Sequence, residues 1–184
     1  IILITQDSKQ VLRCLKSGGV IAYPTEAVFG LGCDAADQEA CEKIIQLKNR
    51  DPEQGLISLV GDWHFLQDWV IGLDPALLLQ LNAPQPRPTT WLIPTTPLAP
   101  KWLRGRHETI AVRRPTWPPL LAFCNEFGKP LVSTSANPHG QAAATSAQEV
   151  SNYFGDRLDL IWDRSCGGVA SVSQIIDLRS GKVM

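Results

Sequence analysis

Short β-rich runs alternate with helical patterns over most of the 184 residues, and this alternation limits the fold more than any other feature, because it points to an α/β domain. The strand candidates are VIAYP (20–24), LISLV (56–60), TTWLIP (89–94), TIAVR (109–113), PLVST (130–134), LDLIW (158–162) and SVSQIIDL (171–178). Seven strands imply one large, mixed sheet with flanking helices.

The helical stretches carry their own punctuation. DQEACEKIIQLK (37–48) places Ala40, Cys41, Ile44, Ile45 and Leu47 on one stripe behind Asp37 as N-cap. In DPALLLQLN, Asp74 is the cap and Pro75 takes the first helical position, whereas PPLLAFCNEFG stops on Gly128. SAQEVSNYFG holds a capping box in Ser146 and Glu149. Residues 82–100, rich in Pro and Thr, read as an irregular connection containing one strand. No repeat or composition break divides the chain, so one domain over residues 1–184 is expected, around one core. The sequence opens on Ile1 without a methionine, which suggests that a few residues precede it.

Seventeen basic residues against eighteen acidic ones exclude a globally basic nucleic-acid binder. Any RNA contact would have to come from a local patch. KWLRGRHETIAVRRP (101–115) offers one in Lys101, Arg104, Arg106, Arg113 and Arg114 around Trp102, although such a run is also what a solvated face looks like. No apolar run reaches the roughly 18 residues of a membrane span and no signal pattern opens the chain, so a soluble, cytoplasmic protein is expected. The five cysteines are odd in number and form no C-x-x-C pair, which fits reduced thiols better than disulfides or zinc. His64, His107 and His139 share no ligand spacing, and no metal site built from protein side chains is expected.

Three stretches can carry chemistry. In YPTEAVFGLGCDA (23–35), Thr25 and Glu26 follow a strand end, and Gly30 and Gly32 keep the next backbone thin; the spacing equally allows a tight turn with a surface Glu. In LKNR, Lys48 and Arg50 close the clearest helix, either as a dipole-matched solvated turn or as donors to a polyphosphate. In PLVSTSAN (130–137), Ser133, Thr134, Ser135 and Asn137 leave a strand, either as an anion-binding concavity or as an ST-turn followed by an Asx-turn.

Taken in order, AYPTEAVFGLGCDA, LKNR, KPLVSTSAN and the closing SVSQIIDL resemble the YrdC/Sua5 family of threonylcarbamoyl-AMP synthases over nearly the whole chain, in its short bacterial form. The family's K-x-R and S-x-N motifs match as Lys48-x-Arg50 and Ser135-x-Asn137. The resemblance implies a YrdC-like domain, a twisted mixed sheet with flanking helices around a large, positively lined concave cavity. It implies that L-threonine and bicarbonate form a carbamate whose carboxylate attacks the α-phosphate of ATP. Pyrophosphate leaves, and the adenylate serves t6A modification at adenosine 37 of tRNAs reading ANN codons. Lys48 and Arg50 would be catalytic and, with Thr90, Ser133, Ser135 and Asn137, would hold ATP, its Mg²⁺ bound through the phosphates. Thr25, Arg113 and Ser173 would hold threonine. Implied partners are the t6A transferase proteins and tRNA or double-stranded RNA; a non-catalytic RNA-binding module is the alternative. The chain departs from the family where W-P-G-P-[LV]-T reads QPRPTT (85–90), with Arg87 in place of the usual glycine.

Overall fold

The computed structural model describes residues 2–168 and 173–184. Their strands are β1 (Leu3–Thr5), β2 (Ile21–Pro24), β3 (Phe29–Gly32), β4 (Ile57–Leu59), β5 (Thr89–Pro94), β6 (Thr109–Arg113), β7 (Leu131–Val132), β8 (Thr134–Ser135), β9 (Leu160–Trp162) and β10 (Gln174–Asp177). The helices are α1 (Ser8–Lys16), α2 (Gln38–Leu47), α3 (Pro75–Asn82), α4 (Lys101–Arg104), α5 (Pro118–Phe127) and α6 (Ala147–Phe154). All seven runs read as strands from sequence contain strands; the first two positions of SVSQIIDL lie outside the described residues.

The strands do not make one large sheet. They form two five-stranded mixed sheets, ordered β1-β9-β2-β3-β8 and β10-β5-β6-β4-β7. The chain splits them at PLVST. Leu131 and Val132 pair antiparallel with β4, and Ser133 N–H still donates to Ile57 O at 2.8 Å. One residue later Thr134 and Ser135 pair with Leu31 and Gly30 of β3, so the chain has crossed between sheets. Period-2 pleating cannot be kept through such a crossing, which is why a run that looks like one strand becomes two.

The two sheets share one core. A single apolar cluster joins Leu31 and Ile161 of the first sheet to Ile93, Ile110 and Val112 of the second. A second cluster packs α1 and α5 against Ile21, Tyr23, Leu59 and Trp162. Close approach of the sheets requires Gly32, since a Cβ there would lie 2.5 Å from Val132 O and 2.6 Å from Tyr23 Cε1.

Helix starts follow local chemistry. Asp37 Oδ1 accepts from Ala40 N–H at 3.1 Å and Asp74 Oδ1 from Leu77 N–H at 2.8 Å. Gly128 ends α5 in the left-handed conformation at φ 74°. The capping box of α6 is displaced by one residue. Ser146 Oγ accepts from Glu149 N–H at 3.2 Å, but Glu149 Oε2 reaches back to Thr145 N–H at 2.7 Å instead of Ser146.

Candidate active site

The crossing segment and the ends of both sheets enclose a cavity of about 590 Å³. Its walls include Thr25, Glu26, Gly30, Arg50, Thr90, Arg113, Ser133, Ser135 and Ser173. Thr25 follows the last residue of β2, and its N–H and Oγ1 both donate to Val28 O, at 3.0 and 2.7 Å, closing a turn against the wall. Gly30, opposite Ser135 in β3, would direct a Cβ toward Thr25 Cγ2 and Ser133 Oγ at 3.4 and 3.5 Å.

The end of α2 explains how Lys48 and Arg50 converge. Lys48 is the C-cap, Asn49 takes the left-handed conformation at φ 46°, and the N–H groups of Asn49 and Arg50 donate to Gln46 O and Ile45 O, both at 3.0 Å. This is a Schellman motif with Asn in place of the usual glycine. The reversal at Asn49 lets two cations one residue apart meet the same region. Lys48 Nζ donates to Ser135 O at 2.8 Å, Asn137 O at 2.6 Å and Asn137 Oδ1 at 2.9 Å. Ser135 Oγ donates to Asn137 Oδ1 at 2.6 Å, and Asn137 Nδ2 donates to Gln141 O at 2.8 Å. K-x-R and S-x-N, far apart in sequence, are therefore one hydrogen-bonded unit. Asn137 N–H turns back onto Ser135 O at 3.0 Å, while Ser133, Thr134 and Ser135 line the cavity, so the stretch combines a tight reversal with part of the wall.

Neither cation of the motif is neutralised. Among the described residues no carboxylate lies within ion-pair distance of Lys48 or Arg50; Arg50 Nε instead donates to Gly55 O at 3.1 Å. Burial, and then the nearby Arg50 charge, push the Lys48 pKa from 10.5 down to about 8. An anion would relieve both effects.

Glu26 is not the surface residue its turn context allows. It is 3% exposed, and Oε1 accepts from Arg113 Nη1 at 2.7 Å and from Thr116 N–H at 3.1 Å. Burial pushes its carboxyl up, but the Arg113 charge and hydrogen bond, with backbone N–H groups, outweigh this and hold it below its ordinary value. Arg113 therefore reaches the cavity already held on one side. On the same wall Thr90 Oγ1 and Ser173 Oγ are 3.1 Å apart, and parallel pairing of β10 with β5 sets this neighbourhood.

A smaller recess of about 200 Å³ adjoins the cavity at Arg50, Leu56 and Ile57 and carries Leu92, Ala111 and Ile175 on its floor, with Arg104 and His107 at its edge. Side chains alternate along strands, so Thr90 with Leu92, Arg113 with Ala111 and Ser173 with Ile175 share one face of the second sheet. This recess was not visible in the sequence. In sequence Arg104 stands in a basic run and His107 has no ligand spacing, and neither signals a recess. Among the described residues no three His, Cys, Asp or Glu side chains gather as metal ligands. Cys33, Cys41 and Cys124 are buried free thiols; Cys14 and Cys166 are half-buried. No helix among the described residues is long and apolar enough to cross a membrane.

Residues 13–184 match the family that groups Sua5, YciO and YrdC proteins, described as telomere recombination. The chain belongs to this family. The threonylcarbamoyl-AMP synthase of Chromohalobacter salexigens is 45% identical over 173 residues, 94% of this chain and 93% of that protein. The enzyme of the same name from Stutzerimonas stutzeri is 44% identical over 179 residues, 96% of this chain and 95% of that one. P. abyssi Sua5 complexed with L-threonine superposes with a TM-score of 0.85 at 25% identity, over 100% of this chain and 56% of that chain. This chain thus spans little more than half the length of Sua5. E. coli YciO, with a TM-score of 0.71 and 23% identity over 96% of this chain and 88% of its own, shares the fold.

Proposed function

We propose that this chain is an L-threonylcarbamoyladenylate synthase using ATP, L-threonine and bicarbonate. The observation that carries the reading is the Lys48 bridge to Ser135 and Asn137, which sets two cations without carboxylate partners beside a wall of hydroxyls. The threonine amine takes up bicarbonate with loss of water to give a carbamate. A carbamate oxygen then bonds to the α-phosphorus of ATP, the bond from that phosphorus to the bridging α–β oxygen breaks, and pyrophosphate departs with the electron pair. No enzyme nucleophile is required; the work is alignment and charge neutralisation.

Lys48 and Arg50 neutralise the phosphate oxygens, while Ser133, Ser135 and Asn137 orient phosphate and ribose, with Thr90 beside them. Thr25, Arg113 and Ser173 hold threonine, Arg113 through the part of its guanidinium that Glu26 leaves free. ATP enters as its Mg²⁺ complex. Among the described residues Glu26 is the only carboxylate lining the cavity and is committed to Arg113, so phosphate oxygens and water are left to bind the ion. The adenylate passes in the cytoplasm to the t6A transferase proteins that act on tRNA. A non-catalytic module that grips RNA in the basic cavity has no need of the Lys48, Arg50, Ser135 and Asn137 set beside Thr25, so the synthase is the better reading.

The deciding experiment is pyrophosphate release from Mg·ATP by purified protein. Release that needs both L-threonine and bicarbonate is expected; release from ATP alone, or none from folded protein, overturns the reading.

A further inference from the structure

From the network around Gln174 we infer that Arg87 and Gln174 form a latch that positions Ser173, and so sets the affinity for the amino-acid substrate; this rests on the synthase reading above. β10 is a four-residue strand at the end of its sheet; β5 pairs along one side of it, and on the other side residues 182–184 bond only to Ile175 and Asp177 and bridge to Ile176, leaving its first residue, Gln174, without a backbone partner there. Its first residue is fastened three times. Gln174 N–H donates to Pro88 O at 2.9 Å, Gln174 Oε1 accepts from Arg87 Nε at 3.2 Å, and Gln174 Nε2 donates to Thr89 Oγ1 at 2.9 Å. Thr89 Oγ1 in turn donates to Arg87 O at 3.0 Å, closing the loop of bonds.

These contacts lie on the back of the two strands. Thr89 and Gln174 point away from the cavity, and the next positions in the pleat, Thr90 and Ser173, point into it and meet at 3.1 Å. Fixing Gln174 on the back therefore fixes Ser173 on the front. Thr90 is fully buried in the middle of a ladder and needs no such help, whereas Ser173 precedes the first paired residue of an edge strand. The latch uses the position where QPRPTT departs from its family pattern: a glycine at 87 would supply no side-chain donor. Gln174, rather than an aliphatic β-former, supplies both an acceptor and a donor.

The test compares wild type with Arg87→Gly, Gln174→Ala, the double variant, and Gln174→Glu, which keeps an acceptor for Arg87. Threonine binding is measured by calorimetry without ATP, and KM for threonine and for ATP by pyrophosphate release. We expect each disabling variant to weaken threonine by about 5- to 10-fold, with the KM for ATP within about 2-fold and the melting temperature within about 2 °C. The double variant should be no worse than either single one, because both remove the same link, and Gln174→Glu should recover most of the threonine affinity. Unchanged threonine binding overturns the latch. So do parallel losses for threonine and ATP or a collapsed melting temperature, which mean general damage. Wild type that binds no threonine overturns the synthase reading itself, and the role given to Ser173 falls with it; wild type that binds threonine as tightly as its variants do sinks only the latch.

Discussion

At the scale of single residues, Lys48 has two jobs, and its pH behaviour separates them. Its ammonium ties the K-x-R turn to the S-x-N turn and sits without a counter-ion on Ser135, a residue of the cavity wall, at a pKa near 8. The charge is present below pH 8 and lost as pH rises through it, well before an ordinary lysine would titrate. Phosphate oxygens stabilise the charged form, so ATP binding at about pH 9 should draw a proton onto Lys48. Calorimetry in two buffers of different ionisation heat should show proton uptake, absent in Lys48→Ala; equal uptake in that variant assigns the proton elsewhere. Pyrophosphate release should also fall about 100-fold or more in Lys48→Ala, the usual cost of losing a charged donor at a reacting oxyanion. Glu26 makes the opposite case. Its carboxyl is held below the ordinary 4.5, so its contribution to stability is complete above that value and disappears as pH falls through the lowered pKa. Glu26→Ala leaves the Arg113 charge buried with no partner and should cost roughly 3 kcal/mol, read from the urea midpoint at neutral pH.

At the scale of elements, the site is built on two backbone devices, the turn that ends α2 and the crossing between sheets, and the sequence announces the helix before the first but neither device itself. The periodicity of residues 37–48 and the Asp37 cap gave α2 directly, because both are local. That its end is a Schellman turn with Asn49 in the left-handed conformation was not legible, since Asn is common in ordinary loops as well. Asn49→Gly should therefore keep pyrophosphate release within about 2-fold, while Asn49→Val, β-branched at a positive φ, should lower it by about 10-fold or more. Equal activity in the two variants contradicts the turn's role. PLVSTSAN was legible as a polar strand exit, but not as a bridge between sheets. Strand pairing is non-local, and only the partners, β4 for Leu131 and β3 for Ser135, reveal the crossing. β3 was hidden because its FGLG reads as a glycine loop, and α1 because a nine-residue amphipathic segment lacks an outstanding signal. Glu26 was hidden because its partner Arg113 is 87 residues away.

At the scale of the whole molecule, the division into two sheets explains why the motif residues are spread from Thr25 to Ser173. Lys48, Ser135 and Asn137 belong to the side where the chain crosses onto the first sheet, whereas Thr90, Arg113 and Ser173 stand on the second, and the 590 Å³ cavity lies between them. On the proposed assignment ATP phosphates meet the Lys48 side and threonine meets Arg113 and Ser173, and the two react only if these walls keep their spacing, which the shared core of Leu31, Ile93, Val112 and Ile161 enforces. A molecule that spans both walls should therefore gain from both sets of contacts while losing its translational freedom only once. A non-hydrolysable analogue of threonylcarbamoyl-adenylate should bind at least about 100-fold tighter than AMP or L-threonine alone, measured by displacement or calorimetry. Lys48→Ala and Ser173→Ala should each erode that advantage from their own wall, and their losses should add, because the two side chains share no partner. An analogue that binds no tighter than AMP would mean that the second sheet does not hold the amino-acid half, and the assignment of Arg113 and Ser173 would have to move.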